Sequence, residues 1–171
     1  MALRPGKTTR KKERPYTRVS KKTPRKSYVV GVPFPHIHMF EMGERDAKFD
    51  RELYLIANNS VQIRDNALEA SRIVAHKLLV KKLSKNFFMK ILIYPYHVLR
   101  EHSIATGAGA DRYSQGMARA FGRPKGIAAQ IKKGQRLILL RVNEGDIKVA
   151  KEALKRASSK LPTSTRIEVK E

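Results

Sequence analysis

The chain has 171 residues, of which 37 are lysine or arginine and 15 are aspartate or glutamate, giving a formal net charge of +22 at pH 7. A chain this basic repels itself, which favours a polyanionic partner: RNA, DNA or an anionic membrane surface. The absence of cysteine excludes disulfide bonds and thiolate zinc sites. With 41% hydrophobic residues and no apolar run near the roughly 18 residues of a membrane span, the composition predicts a soluble intracellular domain.

Residues 1–27 form a basic segment that differs in composition from the rest of the chain. They contain eleven basic residues and one acid, Glu13, so their net charge is 11 − 1 = +10. The segment buries too little apolar surface to offset its ordering entropy, so we expect it to be extended alone and to order along phosphates. The alternative is a solvated tail without a partner. In the RNA-binding interpretation, the residues of the segment that bind RNA are Arg4, Lys7, Arg10, Lys11, Lys12, Arg14, Arg18, Lys21, Lys22, Arg25 and Lys26.

The first half of the body combines short strands with one long helix. Apolar patterning predicts strands at residues 28–32, 37–42 and 53–57, followed by a turn at 58–60. From residue 61 to residue 82, apolar side chains recur at spacings of three and four, which predicts a helix. The predicted core face of this helix consists of Ile63, Ala67, Ala70, Val74 and Leu78.

Three more strands are predicted in the second half. Residues 87–94 alternate around a β-branched centre and predict one strand. Residues 127–131 and 136–142 predict two partner strands joined by a hairpin turn at 132–135. Phe87, Phe88 and Tyr94 are assigned to the core, whereas Tyr16, Tyr28 and Tyr113 are candidates for stacking on unpaired bases.

A second helix and a last strand complete the predicted domain. Asn143 is the predicted N-cap, Pro162 ends the helix, and residues 166–169 form the strand. The core positions of this helix are Ile147, Ala150, Leu154, Ala157 and Leu161. Hairpins and two helices predict an α+β fold, in which both helices pack on a mixed, largely antiparallel sheet. We expect residues 28–171 to form this single domain.

Residues 95–126 are rich in glycine and alanine, and we expect them to protrude from the domain as a long loop. Gly107 and Gly109 begin a dinucleotide-binding fingerprint, but Arg112 stands where the third glycine belongs, and no phosphate-binding P-loop occurs. Small residues between arginines instead favour close approach to RNA, with a floppy surface loop as the alternative. Ser114 to Phe121 is expected to form a helical turn that folds back on the body. The side chains expected to reach out are Arg100, His102, Arg112, Tyr113, Gln115, Arg119, Arg123 and Lys125.

No residue pattern predicts catalysis, a metal site or a cofactor. His36 and His38 share one face of a predicted strand, while His97 and His102 lie farther along, and few carboxylates stand near either pair. No G-x-S-x-G turn presents a nucleophilic serine. Two rival classes stay open: a basic chromatin-type protein that binds duplex DNA, and an RNA-modifying or nucleotide-using enzyme, which the missing phosphate loop and triad disfavour.

Several stretches resemble one known family in the same order. They are ALRPGKTTRKKERPYTR at residues 2–18, VQIRDNALEASRIVAHKLL at 61–79, MKILIYPYHVLREHSIATGAGADRYSQGMARAFGRPKG at 89–126 and GDIKVAKEALKRASSKLPTSTRIEV at 145–169. The chain resembles the large-subunit ribosomal protein family numbered ten, with suffix e, in archaea and eukaryotes and sixteen in bacteria. The absence of cysteine and the long basic N-terminus suit the archaeal branch.

The resemblance implies an α+β ribosomal protein without enzymatic activity, in the cytoplasmic large subunit, near the aminoacyl-tRNA site. Implied partners are 23S-type rRNA, neighbours of the 5S rRNA, tRNA and other large-subunit proteins, with no membrane. Arg100, Arg112, Arg119 and Arg123 would lie on the RNA-facing side. The loop residues implied to face tRNA are Gly107, Ala108, Gly109, Ala110, Asp111 and Arg112. Residues 32–43 carry less charge than the family pattern, so no contacts are assigned there.

Overall fold

A computed structural model describes residues 4–12 and 29–170, and within these ranges the chain forms eight β-strands and two α-helices. The strands are β1 (Glu41–Gly43), β2 (Arg51–Ala57), β3 (Val61–Arg64), β4 (Phe88–Ile91), β5 (His97–Glu101), β6 (Arg123–Ile131), β7 (Arg136–Val142) and β8 (Thr165–Lys170). The helices are α1 (Asp65–Leu83) and α2 (Ile147–Ser158). Short 3-10 turns occupy Gly6–Thr9, Ala110–Arg112 and Glu144–Asp146.

The strands of the described residues form two antiparallel sheets. The larger sheet has the order β1-β4-β7-β2-β8, and the smaller has the order β3-β6-β5. In the larger sheet Leu53 lies opposite both Leu140 and Val169, and in the smaller sheet Ile63 lies opposite Ala129. Together with the two helices, this arrangement confirms the predicted α+β class with a largely antiparallel sheet.

One core joins the two sheets through the helices. Helix α2 packs on strands β2, β7 and β8, helix α1 packs on β3 and β6, and the helices contact each other. Ala150, Ala153, Leu154 and Ala157 form a buried stripe on α2, because spacings of three and four place them on one helix face. The small alanines of this stripe let α2 lie close to the sheet, and the predicted core positions Ala150, Leu154 and Ala157 are confirmed.

The predicted first helix starts too early. Val61–Arg64 form strand β3, and α1 begins at Asp65, whose Oδ1 accepts a hydrogen bond of 2.9 Å from the backbone N–H of Asn66. Of the predicted core face, Ile63 and Leu78 are buried, whereas Ala67, Ala70 and Val74 are only partly buried. Because the prediction counted from Ile63, which is a strand residue, these three positions each fall one residue before a buried one. The buried residues of α1 are Asp65, Leu68, Glu69, Ser71, Ala75, Leu78 and Leu79.

Strands β6 and β7 are not the partners that the sequence predicts. Strand β6 pairs with β3 and β5, whereas β7 pairs with β2 and β4. The connection does form a tight turn, in which the backbone N–H of Gln135 donates to the carbonyl of Lys132. However, the N–H of Gly134 and the carbonyl of Gln135 bond to the backbone of Ala57. The backbone of this turn is therefore hydrogen-bonded to the end of β2, and the chain passes from the smaller sheet to the larger one at this point.

The strand predicted at 53–57 is confirmed within β2, but the two strands predicted before it are absent or shorter. No strand forms at residues 29–32, and residue 28 lies outside the described part of the chain. Only β1 (Glu41–Gly43) forms near the strand predicted at 37–42. The strand predicted at 87–94 is shortened to β4, beyond which buried and exposed side chains still alternate.

No helix in the described residues is long and apolar enough to cross a membrane.

The predicted core assignment holds for two of the three aromatic residues. Phe87 and Phe88 are buried, as predicted, but Tyr94 is 56% exposed. Buried and exposed positions alternate beyond β4, and Tyr94 falls on one of the exposed positions. There its ring stacks on Phe40, with 5.6 Å between the ring centroids.

The stripe on α2 gives a test of the core. Leu154 is fully buried, so Leu154→Ala removes apolar contacts and leaves a cavity, and should lower the free energy of unfolding by about 2–5 kcal/mol. Chemical denaturation followed by circular dichroism measures this change. Lys151→Ala, at an exposed position of the same helix, should change it by less than about 0.5 kcal/mol. Equal effects of the two variants would mean that α2 does not pack as described.

Candidate nucleic-acid interface

Strands β5 and β6 bring together residues from both basic regions of the sequence. The strands are paired, with Glu101 opposite Arg123, and they enclose residues 102–122, which we call the loop. The pairing shifts between Leu99 and Arg100, so that Lys125 has no direct partner in the register. Such a β-bulge redirects a side chain. The ends of the segment predicted to protrude, residues 95–126, therefore lie within the smaller sheet.

The carboxylate of Glu101 links the N-terminal segment, residues 4–12, to strands β5 and β6. It lies 2.6 Å from Nε of Arg4 and 3.1 Å from Nζ of Lys125. Hydrogen bonds from Arg4 and then from Lys125 lower the pKa of Glu101 below its ordinary value, against the opposing effect of desolvation. Arg64 adds a bond of 2.7 Å from Nη1 to the carbonyl of Arg4. Glu101 thus holds two predicted RNA-binding residues at one place.

Residues 4–12, the N-terminal segment, continue along strand β3. The backbone N–H of Gln62 donates to the carbonyl of Arg10, and its side-chain Nε2 donates to the carbonyl of Thr9, both at 2.9 Å. Gln130 donates in turn to Oε1 of Gln62 at 3.2 Å. Both glutamine side chains are buried, where unpaired amides are costly. Sequence reasoning missed Gln62, because no local pattern marks a buried glutamine as an anchor. The exposed cations that this anchoring positions are Lys7, Arg10, Lys11 and Lys12.

Arg100 and His102 hold the base of the loop. The guanidinium carbon of Arg100 lies 3.0 Å from the ring centroid of Phe121, and its Nη2 lies 3.3 Å from the carbonyl of Gly122. His102 Nε2 lies 2.8 Å from the carbonyl oxygen of Gly116, so that nitrogen donates. Both residues were predicted to bind RNA, and here they make contacts within the protein. An RNA contact through their remaining groups stays a prediction.

Gly122 allows the loop to return against β5. Its φ of +70° lies in the left-handed region, which favours glycine. A Cβ there would lie 2.8 Å from the carbonyl carbon of Glu101 and 2.9 Å from the backbone nitrogen of His102. Because both are backbone atoms, neither can move aside cheaply. Glycine is therefore required at this position for the loop to close.

Several polar and aromatic side chains in and beside the loop are exposed to solvent. Arg112 and Arg119 are exposed, as is Arg123 where β6 begins, and Tyr113 is 86% exposed. In the predicted tRNA-facing stretch, Gly107 and Gly109 have φ values of +116° and +76°. Turns of this kind leave backbone and side chains accessible to a partner.

The helical turn predicted for residues 114–121 does not form. Ala118 donates to the carbonyl of Gln115 in a single turn, but Arg119 has a φ of +53°, which interrupts any helix. A 3-10 turn forms earlier, at Ala110–Arg112. Phe121 does not fold into the body: it is 74% exposed, and Arg100 covers its ring.

The remaining predicted binding residues lie outside the described part of the chain. They are Arg14, Arg18, Lys21, Lys22, Arg25 and Lys26, together with the stacking candidates Tyr16 and Tyr28. The histidines predicted on one strand face do not lie on a strand. His36 instead faces α1, with Nδ1 2.6 Å from Oδ2 of Asp65. Across residues 4–12 and 29–170, no three histidine or acidic side chains are grouped as metal ligands would be.

Comparisons with known proteins agree with the resemblance found in the sequence. Residues 11–168 match the family model described as ribosomal protein L16p/L10e. The large ribosomal subunit protein uL16 of Archaeoglobus fulgidus is 46% identical over 170 residues, which cover 99% of this chain and 94% of that protein. The proteins of the same name from Sulfolobus acidocaldarius and Methanococcus maripaludis are 46% and 43% identical, over 99% of this chain and 94% and 95% of their own lengths. These similarities include nearly all of the surface described above.

The close approach at Gly122 gives a test of loop closure. Gly122→Ala forces its Cβ against the backbone at residues 101 and 102, and should lower the free energy of unfolding by about 1–3 kcal/mol. Amide hydrogen exchange should be faster in β5 and at the start of β6. Gly126→Ala is the control, since its Cβ would meet nothing within 4 Å and its φ is ordinary. Unchanged exchange in Gly122→Ala would contradict the described loop base.

The lowered pKa of Glu101 predicts how the N-terminal segment responds to acid. A carboxylate whose pKa is lower in the folded state stabilises its contacts at neutral pH and loses that effect as the pH falls through the lowered pKa. The NMR signals of Thr8 and Thr9 should therefore shift only at a pH below the ordinary pKa of a glutamate. Glu101→Gln should abolish that transition, whereas Glu168→Gln on β8 should leave it intact. A transition that persists in Glu101→Gln would assign the attachment to another group.

Proposed function

Because the chain belongs to the ribosomal protein L16p/L10e family, we propose that it binds 23S-type rRNA and helps to shape the aminoacyl-tRNA site near the peptidyl-transferase centre. The family membership itself makes it a protein of the large ribosomal subunit, of the type that archaeal relatives represent. It also agrees with the predictions that the chain is not an enzyme and that it is located in the large subunit. The rRNA and tRNA contacts go further, and they rest on the surface described here.

The observation that carries this proposal is the convergence of two distant basic regions at one carboxylate. Glu101 pairs with Arg4 of the N-terminal segment and with Lys125 of β6. Cations gathered in this way repel one another, and the free-energy cost of this repulsion is lowest when a polyanion lies against them. The exposed cations of the N-terminal segment and of the loop therefore lie on neighbouring elements, an arrangement that suits folded RNA.

The loop arginines are available to such a partner. Arg112, Arg119 and Arg123 are exposed, and none has an ion pair or hydrogen-bond partner through its guanidinium among the described residues. An arginine binds phosphate through two parallel N–H donors, and an exposed aromatic ring such as Tyr113 can stack on an unpaired base. These side chains would contact rRNA, and the turn at Gly107 to Arg112 would face tRNA.

The domain organisation follows from the same reasoning. Residues 1–27 would act as an RNA-binding extension of the domain formed by residues 28–171, with residues 95–126 reaching toward tRNA. Neighbours of the 5S rRNA and other large-subunit proteins would then lie beside the domain. Binding through phosphates releases counterions, so the logarithm of affinity should fall against the logarithm of salt concentration with a slope of about −0.7 to −0.9 per phosphate.

Removing the loop arginines tests the proposed contact surface. The triple variant Arg112→Ala, Arg119→Ala, Arg123→Ala should make the salt slope shallower by about 2 to 3 on large-subunit rRNA fragments, since about three phosphate contacts are lost. Filter binding at several salt concentrations measures the slope. Reconstitution of large subunits with the variant should yield fewer subunits competent for translation.

The matched control removes the same charge elsewhere. The control is a second triple variant, Lys151→Ala, Lys155→Ala, Lys160→Ala, which replaces exposed residues of α2 or just beyond it. It should retain more of the rRNA affinity than the variant that lacks the loop arginines. Equal losses in the two triple variants would mean that net charge alone governs binding. Duplex DNA that competes as well as rRNA of equal length would overturn the proposal in favour of a general nucleic-acid binder.

A further inference from the structure

A groove of about 850 Å³ lies beside the paired strands β5 and β6. The N-terminal segment, the start of α1 and the strands β5 and β6 form its walls. Ile73, Leu99 and Ile127 contribute apolar surface, and Ile73 is an exposed isoleucine. A concave site of this size with apolar walls and a few polar groups is typical of small-ligand sites, and it is large enough for a nucleotide.

The charges in the groove wall are nearly balanced. The carboxylates of Asp65, Glu69 and Glu101 line it and oppose the cations of Arg4, Arg64, Arg100 and Lys125. Each carboxylate is already engaged: Asp65 with His36, Glu69 with Arg72 at 2.5 Å, and Glu101 with Arg4. Carboxylates in the wall disfavour a phosphate inside the groove, because like charges repel. They do not disfavour an uncharged group of similar size.

Two side chains of the wall contain polar atoms without partners among the described residues. These are Oδ1 of Asn66 and Nε of Arg100, and both are sealed from solvent. Buried polar atoms in folded proteins are almost always hydrogen-bonded, so these two atoms could gain partners if their side chains turned toward the groove. Asparagine and arginine are also among the side chains that bind the edges of bases through paired hydrogen bonds.

We propose that this groove holds one unstacked nucleobase of RNA, with the sugar-phosphate chain passing outside it. The base would lie against Ile73 and the ring of His36, whose side chain is 68% exposed and is oriented by Asp65. After a small movement of their side chains, Asn66 and Arg100 would bind its edge. The exposed cations Lys7, Arg10, Lys11 and Lys12 of the N-terminal segment would contact the flanking phosphates. This inference rests on the proposed function and adds a specific nucleotide site to it.

The test fills the groove without changing its charge. Gly126 lines the groove, has an ordinary φ and offers open space to a Cβ, so Gly126→Leu places an aliphatic side chain there. Gly145→Leu is the matched control, because Gly145 also has open space and an ordinary φ but does not line the groove. Asn66→Ala is a second variant, which removes a base-edge contact and leaves the groove open.

Chemical probing of large-subunit rRNA bound to each protein is the measurement. The wild-type protein and Gly145→Leu should protect at least one unpaired nucleotide that Gly126→Leu and Asn66→Ala leave reactive. Stacking and edge contacts with one base account for about tenfold in affinity, so both groove variants should bind about tenfold more weakly, with an unchanged salt slope. Circular dichroism establishes that each variant is folded.

Other outcomes separate the site from the general function. If Gly126→Leu and Asn66→Ala protect the same nucleotides as the wild type, the groove does not hold a base, although binding to rRNA stands. If the wild type itself binds no rRNA, the proposed function fails as well. If free AMP, CMP, GMP or UMP bound as tightly as the RNA, the groove would be a site for free nucleotides and not for a base of RNA. Crosslinking of position 73 to another protein within large subunits would identify a protein segment as the occupant.

Discussion

A shortage of carboxylates governs how this chain arranges its charges. With 37 basic side chains and 15 acidic ones, most cations have no acidic partner available. Three of the acids join separate elements: Glu41 pairs with Lys90 across β1 and β4, Glu52 with Arg141 across β2 and β7, and Glu101 with Arg4. Exposed pairs of this kind contribute less than about 1 kcal/mol each, so they position elements that the apolar core stabilises. The cations left over are the surplus that a polyanion must balance.

Sequence patterns identified the elements whose signals are local. Strand β7, with its run of branched side chains, was predicted at its observed limits. Helix α2 was predicted from its apolar stripe, but it is shorter than expected: Asn143 precedes a 3-10 turn and makes no side-chain cap hydrogen bond, and Asp146 is the N-cap. Strands β3 and β5 were missed. Val61–Arg64 lies directly before a helix without a turn to separate them, and His97–Glu101 includes only two buried residues. Both are strands because β6 lies between them, and a pairing partner more than twenty residues away leaves no local pattern.

The candidate surface could be predicted in its chemistry but not in its geometry. Arginines and glycines in the loop indicated contact with RNA, because those residue types bind phosphate and permit close approach. The sequence did not distinguish Gly122, which packs against backbone, from Gly107, where an added Cβ would meet open space. Nor did it distinguish Arg100, which covers Phe121, from Arg112, which faces solvent. Such differences depend on the meeting of β5 and β6, which only the folded chain displays.

Strand β8 lies at one edge of the larger sheet, where a backbone with open hydrogen-bonding groups can recruit a strand from another molecule. Its exposed side chains include Arg166, Glu168 and Lys170, and Arg166 is bonded to Glu168 along the strand. Charged side chains on an edge strand oppose such recruitment, because stacking copies would bury them. Copies of the chain are therefore hindered from joining edge to edge through β8, although its backbone groups are open.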